Sequence, residues 1–135
     1  MIKFDDRYFS DFIFTKEQVK RNFENAMKDL KIARQDEISD VKFTYSYDAL
    51  IKGGIALASL HNKKIKSVPG HHVKLIEMMA GILDDETVGI MGNAMRSKRN
   101  TDFYSGGVEV TEKEAHDYLK YVDGIVGKIK KLVES

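Results

Sequence analysis

Two capping boxes, each followed by an apolar row at helical spacing, constrain this 135-residue chain more than any other feature. Thr15 is followed three residues on by Gln18, and Thr111 by Glu114. In such a pair, the hydroxyl and the longer polar side chain each take up an N–H group that a helix start leaves unpaired. After the first box, Val19, Phe23, Ala26, Leu30 and Ala33 recur at helical spacing, with Lys20, Arg21, Lys28 and Asp29 on the other face. After the second, Ala115, Leu119, Val122, Val126, Ile129 and Val133 do the same, over roughly 33 Å at 1.5 Å per residue. Rows of this kind are the seams of a helix bundle.

The segments between the boxes extend the same pattern. A second helix is secure from about Tyr47 to His61, with Leu50, Gly54, Leu57, Ala58 and His61 on one side, and its start reaches back as far as Ile38. Val41–Tyr45 alternates like a strand, but it is short and has no evident partner, so it reads as helix. Gly53-Gly54 inside a helix costs on the order of 1 kcal/mol per Gly against Ala, and close approach of a neighbouring helix would account for it. Lys63, Lys64 and Lys66 follow and lead into a turn at Ser67-Val-Pro-Gly70. A third helix is predicted from about His71 to Leu83, with Val73, Ile76, Met79, Ala80 and Leu83 inward. Asp84 and Asp85 end it and can cap a fourth, from Thr87 to about Phe103, which Ser105-Gly106-Gly107 stops. The predicted fold class is all-α: an up-and-down bundle of four or five helices over residues 15–135, behind an aromatic arm at residues 1–14. In that arm Phe9, Phe12 and Ile13 can share a short helix face. It either packs on the bundle or serves as a partner or dimer contact.

Composition narrows the function classes. There are 22 basic and 21 acidic residues, a formal net charge of +1. This excludes a strongly cationic nucleic-acid coat but allows a local basic site. The absence of Cys removes disulfides and thiolate metal sites and fits a cytoplasmic setting. No apolar run approaches the roughly 20 residues that span a bilayer, so no membrane partner is expected. Asp5, Asp6 and Asp11 sit among the N-terminal aromatics, which is unlike a signal peptide.

Chemistry concentrates at the end of the fourth helix, in Arg96-Ser-Lys-Arg-Asn-Thr-Asp-Phe-Tyr104. Val88, Met91 and Met95 form an apolar stripe that Arg99 extends by a turn, while Arg96, Asn100 and Tyr104 form an adjacent row. Two guanidiniums, a carboxamide and a phenol side by side suit a phosphate or another anion. The plainer alternative is that basic residues in a last helical turn complement the helix dipole, with Asp102 pairing Lys98. The histidines, His61, His71, His72 and His116, show no metal-ligand spacing, and His71 and His72 read as solvated or locally hydrogen-bonded rings. No metal and no cofactor is implied, and no Walker-type loop, GxGxxG or GxSxG occurs.

Three stretches together resemble the HEPN family (higher eukaryotes and prokaryotes nucleotide-binding). They are Ser46-Tyr-Asp-Ala-Leu-Ile with Ile-Ala-Leu-Ala58, then Pro69-Gly-His-His72, then Arg96-Ser-Lys-Arg-Asn100 with Tyr104. The likeness is to the subset with Arg-x-x-Arg-Asn-x-x-x-Tyr, a short Gly-containing loop and a last helix rich in Glu and Ala, and it covers residues 16–133. The resemblance implies a small helical bundle, often a homodimer whose motifs meet at the dimer cleft. Many family members are metal-independent endoribonucleases of toxin–antitoxin or defence systems, and others are partners of small nucleotidyltransferases.

On that resemblance Arg99, Asn100 and Tyr104 are the catalytic candidates, and Arg96, Arg99 and Asn100 the phosphate- or nucleotide-binding ones. Arg99 would stabilise charge on the phosphorus oxygens and Asn100 orient the phosphate. Tyr104 stands where the family motif carries His. A phenol with pKa near 10 is a poor base at pH 7; it can donate to a phosphate, act as an acid, or accept a transferred nucleotide. The implied partners are a second copy, a nucleotidyltransferase or antitoxin, and RNA or a nucleotide. Three readings follow: a ribonuclease-type effector, a non-catalytic nucleotide- or nucleotidyltransferase-binding partner, and a structural interaction domain.

Overall fold

The computed structural model describes residues 3–104 and 110–135, with the side chains of residues 102–104 left aside. Among the described residues the chain runs β1 (Phe9–Asp11), α1 (Lys16–Gln35), α2 (Ser39–Leu60), β2 (Lys63–Ile65), α3 (His71–Leu83), α4 (Glu86–Tyr104) and α5 (Glu112–Glu134). It is the expected all-α bundle, with one short two-stranded sheet added.

Both capping boxes form. Thr15 N donates to Gln18 Oε1 at 2.8 Å and Gln18 N to Thr15 Oγ1 at 3.1 Å. The same exchange joins Thr111 and Glu114. The row Val19, Phe23, Ala26, Leu30 and Ala33 is buried as its spacing predicts. Asp29 is not on the solvent face of α1: it is 4% exposed, and its carboxylate pairs with Lys52 of α2 at 2.7 Å. The buried face is wide enough to include it because α1 lies against both α2 and α5.

The centre of the fold is α2. It begins at Ser39, so Val41–Tyr45 is helical, with Phe43 buried. Tyr47, Leu50 and Leu57 are buried on one side and Ala49, Ile51, Ala56 and Ala58 on others, because α1, α5 and α3 all pack against it. The Gly pair serves close approach. A Cβ on Gly54 would stand 2.6 Å from Met79 Sδ and 3.0 Å from Leu75 Cγ, and one on Gly53 3.1 Å from Ile129 Cδ1. His61, read as the end of the inward row, is exposed at the C-cap.

The arm differs from expectation. Phe9, Phe12 and Ile13 form no helix; Phe9–Asp11 pairs antiparallel with Lys63–Ile65, in the register Phe9↔Ile65 and Asp11↔Lys63. Asn62, left-handed at φ 57°, turns the chain into β2. It also accepts from Phe12 N through its carbonyl and from Phe14 N through its side chain. Phe9 is 4% exposed and meets Phe4 edge-on at 5.2 Å, whereas Ile13 is 86% exposed. The arm therefore packs on the bundle through Phe9.

On α3 the inward face is Leu75, Ile76, Met78 and Met79; Val73, Ala80 and Leu83 are only partly buried. Asp84, left-handed at φ 49°, closes α3, and Asp85 opens α4 by accepting from Thr87 N at 3.0 Å and Thr87 Oγ1 at 2.6 Å. Val88, Gly92 and Met95 are the buried row of α4; a Cβ on Gly92 would stand 2.8 Å from Ile76 Cγ2. Thus α3 and α4 form a tight antiparallel pair, while α5 returns to α2 and α1, burying Ile125 as well as its expected seam. Val133 is half-buried. Ser105-Gly106-Gly107, expected to stop α4, lie outside the described residues.

Candidate functional site

The α3–α4 pair sets the site. Because α3 is 13 residues long and both helices rise equally per residue, the antiparallel return of α4 brings its basic end level with the start of α3. Arg96, Arg99 and Asn100 therefore line one cleft with Ser67–Gly70, His71, His72 and Val73, about 450 Å³ in volume.

Behind the cleft, Tyr47 of α2 contacts two of its lining residues, His72 and Arg99. Tyr47, buried, places its hydroxyl 3.0 Å from His72 Nδ1, and the Arg99 guanidinium carbon lies 5.6 Å from the Tyr47 ring centre. His71 and His72 meet edge-to-face at 4.4 Å, and His71 Nδ1 is 2.8 Å from the Val68 carbonyl oxygen. Gly70, left-handed at φ 81°, is the N-cap of α3, and no side chain caps that helix. The positive end of its dipole faces the same cleft.

Electrostatics follow from this crowding. Burial pushes His72 down to about 4, helped by His71 and then by the Arg99 and Arg96 guanidiniums; the ring is neutral at pH 7. Burial pushes Tyr47 up to about 12, against the pull of Arg99 and Arg96, so its hydroxyl keeps its proton. Burial also raises Asp48, opposed by Arg99. Among the described residues Arg96 Nε and Asn93 Oδ1 are buried without a hydrogen-bond partner. A buried donor in that state carries a desolvation penalty that an anion entering the cleft would relieve.

Arg96, Arg99 and Asn100 all stand on the wall of one cleft. Tyr104 is the last residue of α4, and its side chain lies outside the described residues, as does that of Asp102. Lys98 donates to Glu114 of α5 at 2.9 Å. The sequence does not single out Tyr47 as a site residue; the two histidines, expected to be solvated or locally hydrogen-bonded, are of the second kind. Both rings are partly buried in the cleft. The usable signal was the length of α3 between the Pro-Gly turn and the Asp pair, which fixes the level at which α4 returns.

A larger cleft of about 890 Å³ separates the arm from α3, and four of its charges pair within it: Arg7 with Asp5 at 2.8 Å and Lys74 with Glu77 at 3.3 Å. Among the described residues no three His, Asp or Glu side chains gather as a metal-binding group, and no helix is long and apolar enough to cross a membrane. Comparison with protein-family models, with curated proteins and with solved structures gives no match to this chain. The fold is a helical bundle with a cleft lined by two guanidiniums, a carboxamide and two imidazoles. The HEPN likeness rests on the residues of the motif.

Proposed function

We propose that this chain is a HEPN-type protein of a toxin–antitoxin or defence system, and that its cleft takes a phosphate of an RNA strand for metal-independent endonucleolytic cleavage. The observation that carries the proposal is the meeting of Arg96, Arg99 and Asn100 with His71 and His72 in one cleft. The guanidiniums and the carboxamide would hold the phosphate and stabilise charge on it in the transition state. The motif lacks its His at Tyr104, but two imidazoles, His71 and His72, reach the cleft from α3.

A homodimer belongs to the same proposal. Outward on α4, Ile90, Ala94, Ser97 and Thr101 form an uncharged exposed stripe at seam spacing, with Ile90 67% exposed. A second copy set there would bring two clefts close to one another. Light scattering reporting a 15.4 kDa particle at micromolar concentration would count against it.

The test of function is incubation of the purified chain with RNA in the presence of EDTA. Cleavage that Arg99→Ala abolishes with the fold intact supports the proposal. The second reading is a non-catalytic protein that binds a nucleotide or a small nucleotidyltransferase. It is favoured by the engagement of His72 Nδ1 by Tyr47 and by the low proton affinity of that ring. Saturable nucleotide binding without cleavage selects it.

A further inference from the structure

The two adjacent histidines of the cleft are held by different partners, and the partners differ in what they can accept. The Val68 carbonyl oxygen can only accept a hydrogen bond. At 2.8 Å from it, His71 Nδ1 must carry the hydrogen, so the neutral ring leaves Nε2 as a bare lone pair. Tyr47 presents the opposite case. Its buried hydroxyl has one hydrogen-bond partner among the described residues, His72 Nδ1 at 3.0 Å. A buried hydroxyl with one partner pairs its hydrogen only by donating, which assigns His72 Nδ1 as acceptor and the hydrogen of the neutral His72 ring to Nε2. The rings are 4.4 Å apart and line the same cleft as Arg96 and Arg99.

We propose that His71 is the proton-accepting imidazole of the cleft, and that Tyr47 is a positioning residue which, through its hydrogen bond, makes His72 a hydrogen-bond donor to the same substrate phosphate. The proposal rests on the ribonuclease reading above and adds the residues that move and direct the proton. In the step it describes, His71 Nε2 takes the proton of a ribose 2′-hydroxyl while the O2′–P bond forms. The P–O5′ bond breaks with its electron pair on O5′, which takes a proton from water, and His71 returns its proton to the hydroxide so formed. His72 Nε2–H and the two guanidiniums donate to the non-bridging oxygens throughout. The products are a 2′,3′-cyclic phosphate and a 5′-hydroxyl. Among the described residues, Arg99 and Arg96 from α4 act on His72 along with His71, Tyr47 of α2 is bonded to it, and Tyr8 of the arm stands beside Gly70.

The experiment has two arms on the full chain. Long-range ¹⁵N NMR of the unaltered protein reads the tautomers at pH 7. Hydrogen on Nδ1 of His71 and on Nε2 of His72 is expected, with the His72 preference lost in Tyr47→Phe. Cleavage and binding of a labelled single-stranded RNA, with its 2′-deoxy counterpart as control, form the second arm. His71→Gln is expected to lower the cleavage rate about 100-fold or more, with RNA affinity held within about threefold. Tyr47→Phe should lower the rate about tenfold and displace the pH–rate profile. Hydrogen on Nε2 of His71, or cleavage by His71→Gln at the unaltered rate, overturns the assignment even if Arg99-dependent cleavage stands. Absence of cleavage by the unaltered chain overturns the proton-accepting role together with the ribonuclease reading, whichever tautomers are seen.

Discussion

The Tyr47 hydroxyl lies 3.0 Å from His72 Nδ1, joining the central helix α2 to the first turn of α3 beneath the Arg99 guanidinium. Because burial holds His72 at about 4 rather than the usual 6.5, the bond doubles as a pH-dependent tie. Between those values the unfolded chain binds more protons than the folded one, so stability rises with pH there. The contribution is fully present above pH 6.5 and is lost as pH falls through 4. For a half-buried ring, solvent screening leaves about 1 kcal/mol. Urea denaturation at pH 7 and pH 4.5 is expected to show that difference between the unaltered chain and His72→Gln. Equal pH slopes in the two would contradict it.

Arg96 separates ligand binding from bracing. Its Nε is buried without a partner among the described residues, so replacing the head group by an apolar one of similar length removes a desolvation penalty. Arg96→Met is expected to leave the melting temperature unchanged or raise it by a few degrees. RNA or phosphate affinity should fall about tenfold or more, as loss of a charge-assisted contact implies. A clear drop in melting temperature with affinity intact would assign Arg96 to holding the bundle together.

The parts legible in the chain were those written locally. The rows of α1 and α5 and both capping boxes depend on residues three or four apart, and they form as spaced. The Gly53-Gly54 pair announced close approach and delivers it. What escaped reading depends on partners far along the chain. A three-residue strand such as Phe9–Asp11 carries too few alternations to declare itself, and its partner starts at Lys63. The inward face of α3 was displaced because Leu75 and Met78 are drawn inward by Gly54 and the arm, which spacing within α3 does not encode. Asp29 looked like solvent-face charge until Lys52 met it from α2. At the site, the α4 cluster was visible as a motif, whereas His71, His72 and Tyr47 join it only once α3 and α4 fold back on each other.

Gly54 tests how tightly α3 must approach α2 for the cleft to form. An added methyl would meet Met79 Sδ at 2.6 Å and Leu75 Cγ at 3.0 Å. Overpacking of that kind costs about 1–3 kcal/mol, more than the helix propensity of Ala returns. A methyl added at Gly81 of α3 would meet nothing within 4 Å. Gly81→Ala should therefore stabilise by up to about 1 kcal/mol. Opposite signs for Gly54→Ala and Gly81→Ala in thermal denaturation are expected; a stabilising Gly54→Ala would mean that α3 sits farther from α2 than the structure places it.

Glu114 joins the end of α4 to the start of α5. One carboxylate oxygen accepts from Thr111 N at 3.1 Å and the other from Lys98 Nζ at 2.9 Å. These bonds, Lys98 first, hold the carboxyl below its usual value. Its contribution is thus present above the unfolded value of about 4.5 and fades as pH drops below it. Glu114→Gln keeps an acceptor for the Thr111 N–H but removes the charge opposite Lys98, whereas Glu114→Ala removes both. The expected order of melting temperature at pH 7 is unaltered chain, then Glu114→Gln, then Glu114→Ala. The gap between the first two should narrow steadily as the pH falls below about 4.5, because protonation makes the acid a near equivalent of the amide. A gap that does not change with pH would show that the amide disturbs the helix start itself, and that the Lys98 pair contributes little to holding the basic end of α4 in place.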